Sequence, residues 1–464
     1  MQVDDIDVVV LGAGASGIAA AIAAAESGAR VALIERSAWP GGELISGIPI
    51  LGCANGNGEW VVRGVLTRLL DSVRALGGYV GLNFDWRTMW GACFDPEPMK
   101  LAVVQCLRLA GVDLRLRTLA TGVATDRQGA PTGLVVTDGH TEQLLRSKIL
   151  IDASGDGWLA EHAGLPLEEA DGSGGFQPIS VMFRIAGIDF PRLLEFVRQN
   201  PDDLIVAENP FITATREEAA AKVADSGVPF VAIGSEHPGS RLHRAIAENR
   251  MFPTTAFYMT PTSLTRSELT LNVTRIAKVN GADASAVSRA LPTLADQVVQ
   301  ARDFLVSEVP GFEDSCIAAV GPHVGIRETK RIVGMVELTT QDVLSARKRD
   351  DGVARGSHHV DIHADGSLQV REYIASGGSY DIPMGSLIPR GGGNVIVAGR
   401  CIGASREASG SARVIGSCVA TGEAAGVMAG VAIATSLTDV SDLDVDVVRS
   451  ELQRRKALLD RTVQ

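Results

Sequence analysis

One segment near the start limits the fold more than any other: Gly12-Ala13-Gly14-Ala15-Ser16-Gly17 directly follows the β-branched run Asp7-Val8-Val9-Val10-Leu11. A buried strand meeting a Gly-rich turn explains this junction. From Ser16 to Glu26 the chain is nearly all Ala and Ile, Gly28 stands at the C-cap, and Val31-Ala32-Leu33-Ile34-Glu35 begins a second strand. That is a complete βαβ unit, and it predicts an α/β fold built on a Rossmann-type, mostly parallel sheet.

The spacing has a physical reading. Gly12 permits a tight turn, Gly14 lets backbone approach a pyrophosphate, and Gly17 with Ala21 and Ala25 lets the helix lie close to the sheet. Ala15 and Ser16 then open a helix whose unpaired N–H groups and positive dipole end face the phosphates. Glu35 is placed to accept hydrogen bonds from an adenosine ribose. The unit by itself leaves NAD and FAD open.

Composition closes off other classes. With 43 basic and 55 acidic side chains the net charge is −12, which repels a phosphate backbone, so nucleic acid is not an expected partner. Carboxylates occupy the N-terminal positions where a secretory signal carries Lys or Arg. The six cysteines are widely spaced, as in reduced cytoplasmic proteins. Ala424 to Ala434 is about eleven apolar residues where a bilayer needs about 20, so a buried helix is expected rather than a membrane span.

Along the chain, 99–156 reads as helix, strand, strand pair and a last buried strand at Ile149-Leu150-Ile151. From Gly164 to about Pro310 the strand and Gly-turn rhythm disappears. It returns at Asn394 to Arg400, followed by a small-residue helix from Ser411 to Ala434, and Val445, Val448, Leu452 and Leu459 fit a terminal helix. The expected layout is a discontinuous nucleotide-binding domain at 1–164 and 370–440, with a small antiparallel sheet beside the parallel one. An inserted α+β substrate or cap domain covers 165–369, and a C-terminal helix 441–464.

Two further stretches bring a family into view. Asp152-Ala153-Ser154-Gly155-Asp156-Gly157 ends a buried strand with acids and glycines, and Gly325-Ile326-Arg327-Glu328-Thr329-Lys330-Arg331-Ile332 has the pattern G-x-R-E-T-[KR]-R-I. With Ala398-Gly399-Arg400, Gly410 to Arg413 and Ala420 to Gly426, the chain resembles a bacterial FAD-dependent oxidoreductase family of the glutathione-reductase-like, two-dinucleotide-fold class. The resemblance implies FAD as cofactor. It places Glu35 and Arg36 at the adenosine, Gly41 and Gly42 beside the phosphates, and Ser154, Gly155 and Asp156 at the ribityl and pyrophosphate. Gly399, Arg400, Arg413 and Val414 fall at the flavin end, although Arg413 reads equally well as a capping or ion-pair residue.

The implied activity is hydride transfer between a small organic substrate and flavin, in the dehydrogenase or oxidase direction. The alternatives are a flavin-dependent C=C reductase and a flavoprotein whose FAD is structural. No His precedes His140, which excludes histidyl-FAD in the early loop. No second G-x-G-x-x-G follows a strand, so electrons are expected to leave through oxygen, a quinone or an electron carrier. Flavin chemistry needs a base and a group that steadies negative charge. His323 is the candidate proton-transfer group, Arg327 the candidate binder of a carboxylate or alkoxide, and Tyr380 a further catalytic candidate. The competing view of Arg327, Glu328 and Arg331 is an ion-pair cluster locking the domains. His358, His359 and His363 with Asp361 mimic a metal run, but the spacing suits a hairpin.

Overall fold

In a computed structural model, residues 2–170, 175–363, 369–457 and 459 are described. Five parallel strands form the first layer, in the spatial order Asp113–Leu116, Val31–Glu35, Gln2–Leu11, Glu142–Asp152 and Val395–Val397. Val8 to Leu11 are flanked on both sides, Val10 opposite Leu33 and Ile151, which is why this run is continuously apolar. The N-terminal half of Glu142–Asp152 continues into an antiparallel arm with Pro131–Thr137 and Leu119–Thr125. The mixed α/β architecture expected from sequence is therefore present.

The helix Ala15–Glu26 crosses this sheet against a second helix, Ile415–Thr435. Three glycines one turn apart set their approach. A Cβ on Gly422 or Gly426 would stand 2.1 or 2.2 Å from the backbone of Ser16 or Ala20 in the partner helix, and one on Gly430 2.3 Å from the side chain of Ser27 at its C-cap. Backbone therefore packs on backbone, which accounts for the small-residue composition of both helices. Ile415–Thr435 is 21 residues long and apolar enough by length and composition to cross a membrane, over more of its length than the stretch Ala424 to Ala434, yet 72% of its apolar window is buried inside the protein.

The chain between the two halves of this layer builds an antiparallel sheet ordered Val231–Gly234, Ala256–Ser263, Glu268–Asn272, Phe183–Ala186 and Cys316–Val320. Helices Phe190–Gln199, Arg216–Asp225 and Ala284–Glu308 cover it around a separate core that includes Phe183, Phe257, Phe304 and Phe312.

Several expectations need correction. Leu338, Val343, Val353 and Val360 already pack in the nucleotide-side core, so a boundary at 370 falls too late. The helix expected from Ser411 is two, Arg406–Ala412 and Ile415–Thr435, broken at Arg413-Val414. The terminal helix is Val445–Arg454, and Leu459 is buried beyond its end. Gly352 and Gly356 delimit a strand paired with Tyr380–Pro383.

Candidate active site

The Gly-rich turn is built as its sequence suggests. Gly12 adopts φ +99° with its α-hydrogen side against the Ala153 carbonyl, where a Cβ would stand 2.5 Å away. Gly14 is the N-cap of Ala15–Glu26 and offers no side-chain bond, and no acid stands in the first turn. A Cβ on Gly14 would meet nothing within 4 Å, so the helix end faces open space. Glu35 accepts hydrogen bonds from the Ala13 and Ser37 amides, both at 2.8 Å, which orients its carboxylate at the end of the second strand. Arg36 is exposed. Gly41 donates its N–H to the Ala13 carbonyl at 2.8 Å, and a Cβ on Gly42 would come within 2.9 Å of Gly14 Cα.

On the far side, Ser154 Oγ donates to Asp152 at 2.6 Å and accepts the Asp156 and Trp158 amides at 3.2 Å. Gly155 has φ +78°. Arg400, in the short helix Gly399–Cys401, donates to the Gly155 carbonyl at 2.7 Å and to Asp156 at 2.8 Å, tying the two strand ends together. Arg413 donates to Gln177 at 3.2 Å and to the Asp361 carbonyl at 3.0 Å, while its Nε is buried without a partner. Val414 is the N-cap of Ile415–Thr435, again with no side-chain bond. Two uncapped helix starts, a glycine open to space, and the unpartnered Arg413 Nε and Glu43 Oε2 fit a bound dinucleotide with a polar ring.

The G-x-R-E-T-K-R-I segment divides its labour. Glu328 accepts from Arg406 at 2.8 Å and from the Gln177 amide at 3.1 Å, and Arg331 lies 3.7 Å from Glu328 and donates to the Ala404 and Ala170 carbonyls. Thr329 donates to the Gly155 carbonyl, and Lys330 pairs with Glu161. These residues lock the two layers. Arg327 is not among them. It donates to the Pro178 carbonyl and Ser180 Oγ, both at 2.6 Å, and reaches Asn272 at 3.5 Å.

Arg327 lines a cavity of about 160 Å³ between the two layers. No carboxylate stands within ion-pair distance of it among the described residues, and burial, with Arg413 nearby, lowers its pKa to about 10. Other walls are Arg87, Tyr258, His358 and His359. Asp85, fully buried, accepts the amides of Arg87, Thr88 and Met89 at 2.7–2.9 Å and the Tyr258 hydroxyl at 3.0 Å, and so presents Arg87 to the cavity. Glu208 pairs with Arg87 and Arg371, but Arg87 Nη2 is buried and unpartnered. Burial lowers the pKa of His358 to about 4 and holds that of His359 well below its ordinary value, so both rings are neutral near pH 7. His358 Nδ1 lies 2.6 Å from the His359 carbonyl and must donate there, which leaves Nε2 with the lone pair.

Two candidates are displaced. His323 does not line this cavity, and the stretch 321–329 forms no helix, because Gly325 bridges to Ser180. The His323 ring lies 3.2 Å from Glu43; burial alone lowers its pKa, but the Glu43 carboxylate raises it overall. Tyr380 is fully buried in the nucleotide-side core with its hydroxyl 2.7 Å from Ser411, and it does not line this cavity. The histidine run is a hairpin, Val360–His363 with Gln369–Glu372, and His363 lies 3.0 Å from Asp361. Arg87, Tyr258 and Asn272 were not visible as site residues. Only the Asp85 turn, an acid capping its own following amides, carried a local signal.

The sequence model of the FAD dependent oxidoreductase family matches residues 7–452. The chain belongs to this family. The protein is thus an FAD-dependent oxidoreductase, and FAD is its cofactor. A fumarate reductase (cytochrome) of Shewanella frigidimarina is 30% identical over 150 residues, 31% of this chain and 24% of that protein. The match thus spans about a quarter of the curated relative's length. Among solved structures, a geranylgeranyl bacteriochlorophyll reductase-like protein of Thermoplasma acidophilum is 13% identical with a TM-score of 0.46, over 98% of this chain and 83% of that one. The p-nitrophenol 4-monooxygenase of Pseudomonas putida is 12% identical with a TM-score of 0.46, over 99% and 86%.

Proposed function

We propose that this FAD-dependent oxidoreductase dehydrogenates a small organic anion bound in the cavity between its two layers. One observation carries the reading: Arg327 turns toward that cavity with hydrogen bonds to neutral acceptors and no carboxylate partner among the described residues. A guanidinium kept at this cost is matched by an anionic ligand, for which it offers a planar fork of donors. Arg87 Nη2 adds an unsatisfied donor on the same cavity.

FAD supplies the hydride acceptor when bound. The chain's own residues do the rest. Arg327 and Arg87 fix the substrate's anionic group, and their burial strengthens that attraction. His358 Nε2 takes the proton released as the substrate is oxidised, and its Nδ1–H stays anchored on the His359 carbonyl. Reoxidation falls to oxygen, a quinone or an electron carrier. The parallel sheet and the lock made by Glu328 and Arg331 also support membership of the bacterial, glutathione-reductase-like branch.

Anaerobic mixing of the oxidised holoenzyme with matched hydroxy acids, amino acids and neutral alcohols tests this. Bleaching of the flavin by acids and not by their neutral counterparts is expected. Bleaching by neutral donors alone, or no bleaching together with rapid reoxidation of the reduced enzyme by enones, would overturn it.

A further inference from the structure

Beside the anion cavity lies a larger one, about 510 Å³ against about 160 Å³. It falls within the roughly 300–1,000 Å³ of small-molecule sites, whereas the first is too small for more than a short acid. In a chain only 5% aromatic, its walls include Phe84, Trp86, Trp90, Phe211 and Phe230, with Lys222 among them. No carboxylate lines it among the described residues.

The rings are arranged rather than merely gathered. Phe84 stands edge-on to Trp86 at 5.1 Å and tilted to Trp90 at 5.2 Å. Trp86 has φ +52°, a left-handed backbone that a bulky residue adopts only under constraint, and the Ala207 amide fixes its carbonyl at 2.7 Å. Lys222 Nζ lies 4.4 Å from the Trp86 ring centroid.

The two cavities share a wall. Thr88 lines both, and Phe230 of the larger meets Tyr258 of the smaller edge-on at 5.5 Å. One short segment serves the two: Phe84, Trp86 and Trp90 face the aromatic cavity, while Arg87 and Met89 line the anion cavity. The Asp85 turn sets that division.

We propose that a single substrate spans both, an aryl-bearing organic anion with its charged end at Arg327 and Arg87 and its flat ring among Phe84, Trp86 and Trp90. This deepens the anionic-substrate reading and rests on it.

Calorimetric titration of the holoenzyme with 2-naphthoate, 2-naphthol and acetate tests it, in the native protein, W86G and R327M. Glycine takes a left-handed φ without strain, so W86G removes the ring and leaves the turn intact; Phe211→Ala, at the half-exposed rim, is a second variant should W86G not fold. Naphthoate should bind at least about tenfold more tightly than naphthol or acetate. W86G should weaken both naphthalene probes about tenfold and leave acetate unchanged, since stacking contributes on that scale. R327M should erase the advantage of naphthoate over naphthol. Naphthalene probes that do not bind, or that ignore W86G and F211A, overturn the inference while Arg327-dependent acetate binding leaves the anion reading standing. An advantage of naphthoate that survives R327M overturns joint occupancy, and acetate binding indifferent to Arg327 overturns the anion reading itself.

Discussion

Replacing Arg327 by Met separates a binding role from a structural one, because the two give opposite signs. Burial lowers the Arg327 pKa from 12.5 to about 10, and about 2.5 pH units at 1.36 kcal/mol each is about 3 kcal/mol. At pH 7 the folded and unfolded chains both carry the proton, so this cost opposes folding in full; it is relieved only above pH 10, where the folded protein loses the proton first. Solvent in the cavity reduces the figure to about 1–3 kcal/mol. Against it stand hydrogen bonds to Pro178, Ser180 and Asn272, each contributing about 1 kcal/mol net. The two nearly cancel. R327M is expected to melt within about 3 °C of the native holoenzyme by scanning calorimetry. Its affinity for a non-reactive acid, read from the flavin absorbance, should fall about 10–150-fold for a lost charge-assisted bond of about 1.5–3 kcal/mol. A fall of about 8 °C or more with unchanged acid affinity would refute the argument and make Arg327 part of the lock.

Other outcomes follow from the same geometry. If His358 takes the proton, the rate of flavin reduction should be flat from about pH 5 to 8 and decline as pH falls through its pKa of about 4; a decline centred near 6.5, or an identical profile in H358Q, would exclude it. Glu423 is buried with a pKa pushed up to about 7 and accepts the Val65 amide at 3.0 Å. The folded protein therefore holds a proton that the unfolded chain has lost, and stability should decline from about pH 4.5 to 7 by up to about 3 kcal/mol. E423Q should keep the hydrogen bond and melt higher than the native protein at pH 8 but not at pH 5; equal differences at both would contradict this. Gly14→Val should fold normally, because a Cβ there meets open space, yet lose FAD affinity by about 100-fold or more as the side chain enters the pyrophosphate path. A yellow, stable G14V would remove that assignment.

How far the sequence leads depends on how local each device is. The Gly12–Glu35 unit is legible because turn, helix start and acid all lie within one βαβ run, and Glu35 then orients itself on Ala13 and Ser37. The Gly422, Gly426 and Gly430 ridge is written in the sequence as a helical repeat, but its partner helix lies four hundred residues away in the chain, so the close packing shows only in three dimensions. The site itself is assembled from distant pieces: Asp85 reaches Tyr258, and Arg87 reaches Glu208. The placement of His323 beside Glu43 is not legible in sequence, because Gly325 pins the segment to Ser180 in an irregular extended form. Tyr380 misled for a different reason. A strand residue buried on both sides looks the same in sequence as one facing a cavity.

The central claim is that Arg327 selects an anionic substrate for oxidation at the flavin. Its most direct test is the second-order rate constant of anaerobic flavin reduction for an aryl-bearing hydroxy acid and for its amide, measured in the native enzyme and in R327M. The account predicts that the acid outpaces the amide by at least about tenfold in the native enzyme and that the ratio falls to about one in R327M. A ratio that is the same in both proteins would contradict it.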